Sequence, residues 1–232
     1  YNSTTATYTI KPGIAVNSVY GTPQPGMLKW KDLNGDGVIT SDSDRTIIGN
    51  ANPKFIGGWN NQFAYKNFDL SIFFNFVVGN DLYNANKLEW TDGAFPNLNM
   101  LNIMKDRWTN IDANGNTVTD PDALAKLNAN AKIWSPVRVQ RWWLHSWAIE
   151  DGSYLRINNL TLGYTLPKKI TDRVKISSLR VFGTVNNLAT ITGYTGYDPD
   201  VTARRNDPLT PGVDFAAYPR ARTWVFGVNV AF

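Results

Sequence analysis

Between Phe68 and Val78 every second residue is a large apolar one. Phe68, Leu70, Ile72, Phe74, Phe76 and Val78 share one parity, while Asp69, Ser71 and Asn75 punctuate the other. Side chains alternate between the faces of a strand, so this run predicts a strand with one oily and one mixed face. The last eleven residues, Arg222 to Phe232, repeat the pattern with Trp224, Phe226, Val228, Val230 and Phe232 against Val225, Gly227, Asn229 and Ala231. A strand of ~11 residues rising ~3.3 Å each and tilted by ~45° spans roughly 25 Å, the height of the apolar band of an outer-membrane barrel. A soluble sandwich would turn the same face to a core. A run at the very end of the chain that closes on Phe232 favours lipid.

Composition narrows the classes further. Aromatic residues make up 13% of the chain, high for a soluble domain and usual where rings line two membrane interfaces. No window approaches ~18 consecutive apolar residues, so a transmembrane helix is excluded. A mean hydropathy of -0.30 is compatible with barrel strands, whose hydrophobicity is hidden in alternation. The net charge of +4 arises from 23 basic and 19 acidic residues that are scattered, apart from Lys168-Lys169 and Arg204-Arg205. Without a basic stripe, nucleic-acid binding is a poor reading. The chain has 0 Cys, which fits an envelope protein without fixing its compartment. It opens at Tyr1 in mid-pattern with no signal peptide, as a piece of something longer would.

Taken in order, residues 1–10 read as a strand with a polar face, and Lys11 to Lys29 as loop with a short strand near Val16 to Tyr20. Asp32-Leu33-Asn34-Gly35-Asp36-Gly37-Val38-Ile39-Thr40 matches the start of an EF-hand-type calcium loop. Asp32, Asn34 and Asp36 supply oxygens at the first, third and fifth positions, and Val38 offers its carbonyl at the seventh. The twelfth position is Ser43 rather than an acid, with Asp42 and Asp44 on either side, so a one-residue insertion lets Asp44 close the shell. The competing reading is an Asx-turn-rich connection without metal. A bound Ca2+ would be structural.

Lys54 to Tyr65 and Asn67 to Val78 alternate on both sides of Lys66-Asn67, a tight hairpin. Asn80 to Glu150 is too long for an ordinary connection. It contains a weak helical segment near Asn97 to Trp108 and a second helix opening at Asp120-Pro121, with Asp as cap and Pro in the first turn. Trp90, Trp108, Trp134, Trp142, Trp143 and Trp147 crowd this stretch. Packing of the loop's own core is preferred over sugar stacking. His145, the sole histidine, has no Cys or carboxylate cluster around it and reads as an ordinary loop residue. Further strands follow at Tyr154 to Leu166, Leu179 to Ile191 and the closing run. Pro167 to Ser178 is a basic, partly helical turn, and Gly193 to Ala221 a second long loop. Placing Phe232 in the periplasm puts the short connections inside and the long loops outside, the rule for outer-membrane barrels.

Four stretches in this order resemble the C-terminal barrel portion of SusC/RagA-type TonB-dependent outer-membrane transporters. They are Lys31 to Gly37 with Arg45-Thr46-Ile47-Ile48-Gly49; Tyr65 to Leu70; Glu150 to Arg156 with Leu160 to Tyr164; and Tyr197-Asp198-Pro199 through Tyr218-Pro219-Arg220. The resemblance covers nearly everything after about Gly13. The family spaces its Asp-rich loop one residue shorter. The resemblance implies an all-β, antiparallel transmembrane β-barrel with long extracellular loops, of the plugged class of about 22 strands, with this chain holding about the last six. It also implies nutrient import, of oligosaccharide or peptide, in contact with outer-membrane lipid. The partners would be a SusD-like surface lipoprotein and, through an N-terminal region outside this chain, the TonB complex. The whole of 1–232 then belongs to barrel, with no plug domain.

Two other classes stand beside it. A secreted β-sandwich binding carbohydrate through Trp and Tyr would be soluble by itself. An enzyme is a weak reading: Glu150-Asp151 are adjacent and point to opposite faces. No nucleophile elbow, phosphate loop or Cys/His site is present.

Overall fold

Strict alternation stiffened by aromatic and β-branched residues leaves the chain's main segments little choice but long antiparallel strands. The computed structural model describes residues 7–9, 26, 31–36, 38–40, 43–93, 97–136, 146–201 and 211–232. In chain order these hold β1 (Thr7–Thr9), β2 (Val38–Thr40), β3 (Phe55–Tyr65), β4 (Phe68–Val78), β5 (Asp81–Asn84), α1 (Ala85–Glu89), α2 (Pro121–Leu127), β6 (Ile149–Asp151), β7 (Tyr154–Thr165), α3 (Lys168–Thr171), β8 (Ser178–Thr192), β9 (Val213–Asp214) and β10 (Thr223–Ala231). No helix among them is long and apolar enough to cross a membrane.

Contacts divide the chain into two units, Tyr1–Ile48 with Ala85–His145, and Gly49–Asn84 with Ser146–Phe232. In the first, β1 pairs with β2. The expected N-terminal strand is therefore present at Thr7–Thr9, but its partner is the strand that follows the Asp-rich loop. Asp120 caps α2 as expected, its carboxylate accepting from the Ala123 N–H at 2.8 Å, with Pro121 in the first turn. The weak helical segment is a 3-10 turn at Asn102–Asp106. The expected strand at Val16 to Tyr20 lies outside the described residues.

The second unit contains the wall, a five-stranded antiparallel sheet in the order β10-β8-β7-β4-β3. About six strands are expected from the sequence; among the described residues five pair in this sheet. Its register keeps the parities unmixed. Phe68, Tyr164, Val181 and Val228 are successive cross-strand partners, and so are Leu70, Leu162, Gly183 and Phe226. Among the described residues nothing is layered over this apolar face: Phe226 is 79% exposed and Leu162 50%. A sandwich would have buried both.

One correction concerns β7. Continuous alternation over Tyr154 to Leu166 would put Arg156 on the apolar side with Leu160, Leu162 and Tyr164. The register shifts between Ile157 and Asn159 against β8, with the matching shift at Phe73/Phe74 against β4. Asn158 is the extra residue of a β-bulge, and such a residue reverses the facing of everything beyond it. Leu155 and Ile157 consequently join the apolar face, while Arg156 joins Asn159 and Thr161 on the polar one.

The polar face is cross-braced. Asn159 Nδ2 donates to Asn186 Oδ1 at 2.8 Å, and the Thr161 and Thr184 hydroxyls share a hydrogen bond at 2.8 Å. Nearer the hairpin, the Arg180 guanidinium of β8 reaches over β7 to Asp69 of β4 with bonds of 2.9 and 2.5 Å. The residue they cross is Gly163, where any Cβ would overlap both Arg180 Nη2 and Asp69 Oδ1. Gly163→Val is expected to lower the unfolding free energy in detergent by about 1–2 kcal/mol. Because it acts through the ion pair, the Gly163→Val, Arg180→Ala double variant should lose little more than the worse single one. Additive losses in thermal unfolding would disconnect Gly163 from the pair.

Candidate functional site

At the end of the wall opposite the Lys66-Asn67 hairpin, the strands run into a small mixed sheet, β6-β5-β9. β5 pairs antiparallel with β6 and parallel with β9. Leu82, Tyr194 and Val201 form its core, with Ala217 packed against them. This collar is joined by side chains at each strand end. Asp81 accepts from the Asn50 N–H while its own N–H donates back to the Asn50 carbonyl, both at 2.8 Å. Ser153 Oγ accepts from the Gly79 N–H at 2.9 Å and donates to Asp151. Those bonds, the Ser153 hydroxyl foremost, hold the Asp151 carboxyl below the usual carboxylate range. The buried Tyr194 hydroxyl donates to Asp214, itself fully buried, at 2.7 Å. Burial first, then that hydrogen bond, push the Tyr194 hydroxyl well above the ordinary phenol range.

Just inside the collar, on the polar face, sits a buried cation. Arg156 is 1% exposed. Its guanidinium pairs with Asp198, reaches Asp200 at 3.3 Å, and donates to Thr190 Oγ1 at 3.0 Å. Arg220 closes the cluster, its guanidinium 2.7 Å from Asp200 and its N–H donating to Asp198 at 3.3 Å. The Asp200 N–H also donates to Asp198, at 2.9 Å. The Asp198-Pro199-Asp200 segment is thus fastened to the polar side of the wall by two arginines from different strands' ends. The bulge at Asn158 makes this possible, since it turns Arg156 to the face where the carboxylates lie. The sequence carried a signal for it: a lone Arg at an apolar parity position in an otherwise regular strand.

The sequence-derived candidates distribute differently. Of the metal-ligand set, Asp32, Asn34, Asp36 and Asp44 are described with side chains, Val38 as backbone in β2, and Asp42 lies outside the described residues. Asp32 Oδ1 accepts from the Gly35 N–H at 2.7 Å, Asn34 Oδ1 from Asp36 at 3.1 Å, and Asp44 Oδ1 from Leu33 at 2.8 Å. The structure therefore folds Asp44 back onto the head of the loop. Among the described residues no three His, Cys, Asp or Glu side chains converge as a metal site. A second Asp-x-Asn-Gly turn, at Asp112 to Gly115, shows the same Asx bonding, with the Asn114 and Asn116 N–H groups on Asp112 Oδ1 at 2.9 and 2.8 Å. Those amides, that of Asn116 first, hold the Asp112 carboxyl below its usual range.

Trp90, Trp108, Trp134 and Trp147 are half-buried. The Trp108 ring closes over Gly26, leaving no room for a Cβ there. This is packing, as preferred from the sequence. Trp142, Trp143 and His145 lie outside the described residues, as do Arg204 and Arg205. Glu150 and Asp151 face different partners: Glu150 accepts from the Thr195 N–H at 2.8 Å, whereas Asp151 holds Ser153.

A long antiparallel wall, oily on one side and ion-paired on the other, with short connections at one end and a collar at the other, has the pattern of a β-barrel wall segment. No family model matches the chain. Among curated proteins it is 35% identical to TonB-dependent receptor P3 of Formosa agariphila over 91% of its own length. It is 29% identical to TonB-dependent receptor SusC of Bacteroides thetaiotaomicron over 96%. In each case it spans about a fifth, 20%, of the relative's length. A solved structure of the RagAB peptide transporter superposes over 86% of the chain and 20% of that protein with a TM-score of 0.63 at 22% identity, a likeness of fold. Over nearly its whole length the chain is thus similar to about a fifth of each of these TonB-dependent receptors, SusC among them.

Removing one member of a buried ion pair costs about 3–5 kcal/mol. Arg156→Ala is expected to approach that figure in thermal unfolding, with new proteolytic cleavage within 193–201. Unchanged cleavage would show the loop to be held by something else. Tyr194 supplies a pH prediction. A hydroxyl whose folded pKa is raised adds stability below its unfolded value near 10 that is lost as pH rises above it. Wild type should therefore lose stability more steeply in alkali than Tyr194→Phe, as read from unfolding midpoints against pH.

Proposed function

We propose that the chain forms the C-terminal part of the barrel wall of an outer-membrane TonB-dependent importer of the SusC/RagA type, moving oligosaccharide or peptide. The observation that carries this reading is the one-sided wall: Phe226 stands 79% exposed on one face while Arg156 lies 1% exposed among carboxylates on the other. Rings against acyl chains and ion pairs toward an aqueous lumen are what lipid outside and water inside demand. The short turn at Lys66-Asn67 and the connection at 166–177 lie at the periplasmic end, and the collar lies at the extracellular end. The named relatives support import, since one is SusC and one solved neighbour is a peptide transporter. By the same likeness a SusD-like surface lipoprotein caps the substrate, and the TonB complex acts through a region of the receptor outside this chain. The wall's own work is passive: it holds the lumen open, anchors loops at the rim, and carries out no covalent chemistry.

Expressed alone, the chain is expected to sediment with membranes or aggregates and to need detergent. A monodisperse monomer in detergent-free buffer overturns the wall reading. For the intact receptor, deletion should abolish uptake of labelled oligosaccharides or peptides, and which of the two is lost assigns the cargo class.

The loop at 32–44 is proposed to hold a structural divalent cation. The spacing supports it: Asp32, Asn34 and Asp36 stand at the first, third and fifth positions of an EF-hand-type loop, with the Val38 carbonyl, Asp42 and Asp44 completing the set. Excess Ca2+ at 100 times its dissociation constant stabilises by about 2.7 kcal/mol. The intact receptor should gain thermal stability with Ca2+ over EDTA, and Asp36→Asn should abolish that gain. No difference between Ca2+ and EDTA leaves the loop as an Asx-turned connection.

A further inference from the structure

The short-connection end of the wall carries a charge imbalance. The connection 166–177 contains Lys168, Lys169, Arg173 and Lys175 against one acid, Asp172. All four cations are exposed, and so is Lys66 in the neighbouring turn. The turn is tied to the same edge, with Asn67 Nδ2 donating to the Thr165 carbonyl at 2.6 Å and the Thr165 N–H donating to the Asn67 carbonyl at 2.8 Å. None of the five forms an ion pair among the described residues; the nearby carboxylate of Asp69 is taken by Arg180. Ile170, between the lysines of α3, presents an apolar side chain that is 53% exposed.

Directly above this edge the apolar face has a dent. Gly183 lacks a side chain and the Phe226 ring leans toward it; beside them lies a hollow of about 460 Å³ walled by Phe68, Leu162, Tyr164, Val181, Phe226 and Val228. Phe68, Tyr164, Val181 and Val228 form one cross-strand row, and Leu162, Gly183 and Phe226 belong to the next. In the first row Phe68 stands two residues from Lys66 and Tyr164 four from Lys168 along the chain. At ~3.3 Å per residue, that is the distance from a headgroup phosphate to the first methylenes of its acyl chain.

We propose that this edge binds an anionic glycerophospholipid. Lys168, Lys169, Arg173, Lys175 and Lys66 engage its phosphate, and an acyl chain lies in the hollow beside Gly183. The proposal rests on the membrane-wall reading and names a specific lipid contact within it. Charge complementarity chooses the headgroup, because exposed cations beside a hydrocarbon surface are what recognise anionic lipid. The hollow chooses a lipid over an acidic soluble protein, which would use the cations and leave the dent open. Ile170 is placed to dip into the same interface.

The test uses the intact receptor in non-ionic detergent, offered phosphatidylglycerol or phosphatidylcholine with identical acyl chains, and counts retained lipid by native mass spectrometry. Wild type should retain phosphatidylglycerol preferentially. Replacing Lys168, Lys169, Arg173 and Lys175 by Gln should cut that retention by about fivefold per cation, leaving phosphatidylcholine retention unchanged. The same four positions as Arg and Lys in exchanged places should keep the preference, which separates charge from misfolding. Gly183→Leu should reduce retention of both lipids. Equal retention of the two lipids by wild type, or an unaffected preference in the four-Gln variant, overturns the headgroup site; unaltered retention in Gly183→Leu overturns the acyl seat. A receptor that is soluble without detergent refutes the membrane-wall reading itself, whereas a detergent-dependent receptor without lipid preference refutes this site alone.

Discussion

Everything in the wall depends on register. Side chains alternate with a period of two, so a one-residue slip carries a whole strand's apolar set to the opposite face. In β7 that danger is used constructively. Asn158 is inserted where β7 meets β4 and β8, and the residues beyond it change sides. Without the insertion Arg156 would face the apolar side, where a charged side chain is expensive. With it, Arg156 meets Asp198 and Asp200, and the long loop beyond β8 gains a fixed point on the polar face. A local irregularity in one strand therefore decides where the loop beyond β8 is fastened.

Between that clamp and the hairpin, the polar face is braced by pairs that need empty space as much as they need partners. Asp69 and Arg180 belong to strands on either side of β7 and meet only because Gly163 has no side chain. Gly227 does the same for the Phe182 ring from the neighbouring strand, whose face also lies under the Arg180 guanidinium at 5.0 Å. Small residues on this side let large or charged ones from adjacent strands lie flat across them. The polar face of the wall stays smooth while its apolar face keeps its rings.

Much of this was legible in the residues. The five long strands fall within about one residue of their expected bounds, because apolar alternation over nine or more residues leaves no competing period. The Asp120-Pro121 start of α2 was readable for a local reason, a cap and a proline acting within one turn. The collar was not. β5, β6 and β9 have four, three and two residues, too short to show a period, and β5 finds Val213–Asp214 some 130 positions away. The Arg156 cluster was hidden for a related reason: its carboxylates come from a loop, and its facing depends on a bulge that alternation alone does not report. The Asp-rich loop was readable as a turn, because its Asp-x-Asn-Gly spacing dictates the Asx bonds it makes.

The sheet also defines what it lacks. Among the described residues β3 and β10 are its outer strands, and each has one side whose N–H and C=O groups find no partner in the sheet. In water such edges invite aggregation; in hydrocarbon each unpaired group costs several kcal/mol, so no wall of this kind can stand in a bilayer with open sides. Yet the outer face is too apolar to be left in water, with Trp59, Phe63, Trp224 and Phe226 all well over half exposed. The two requirements are met together only if further strands pair with β3 and β10 to close the sheet on itself.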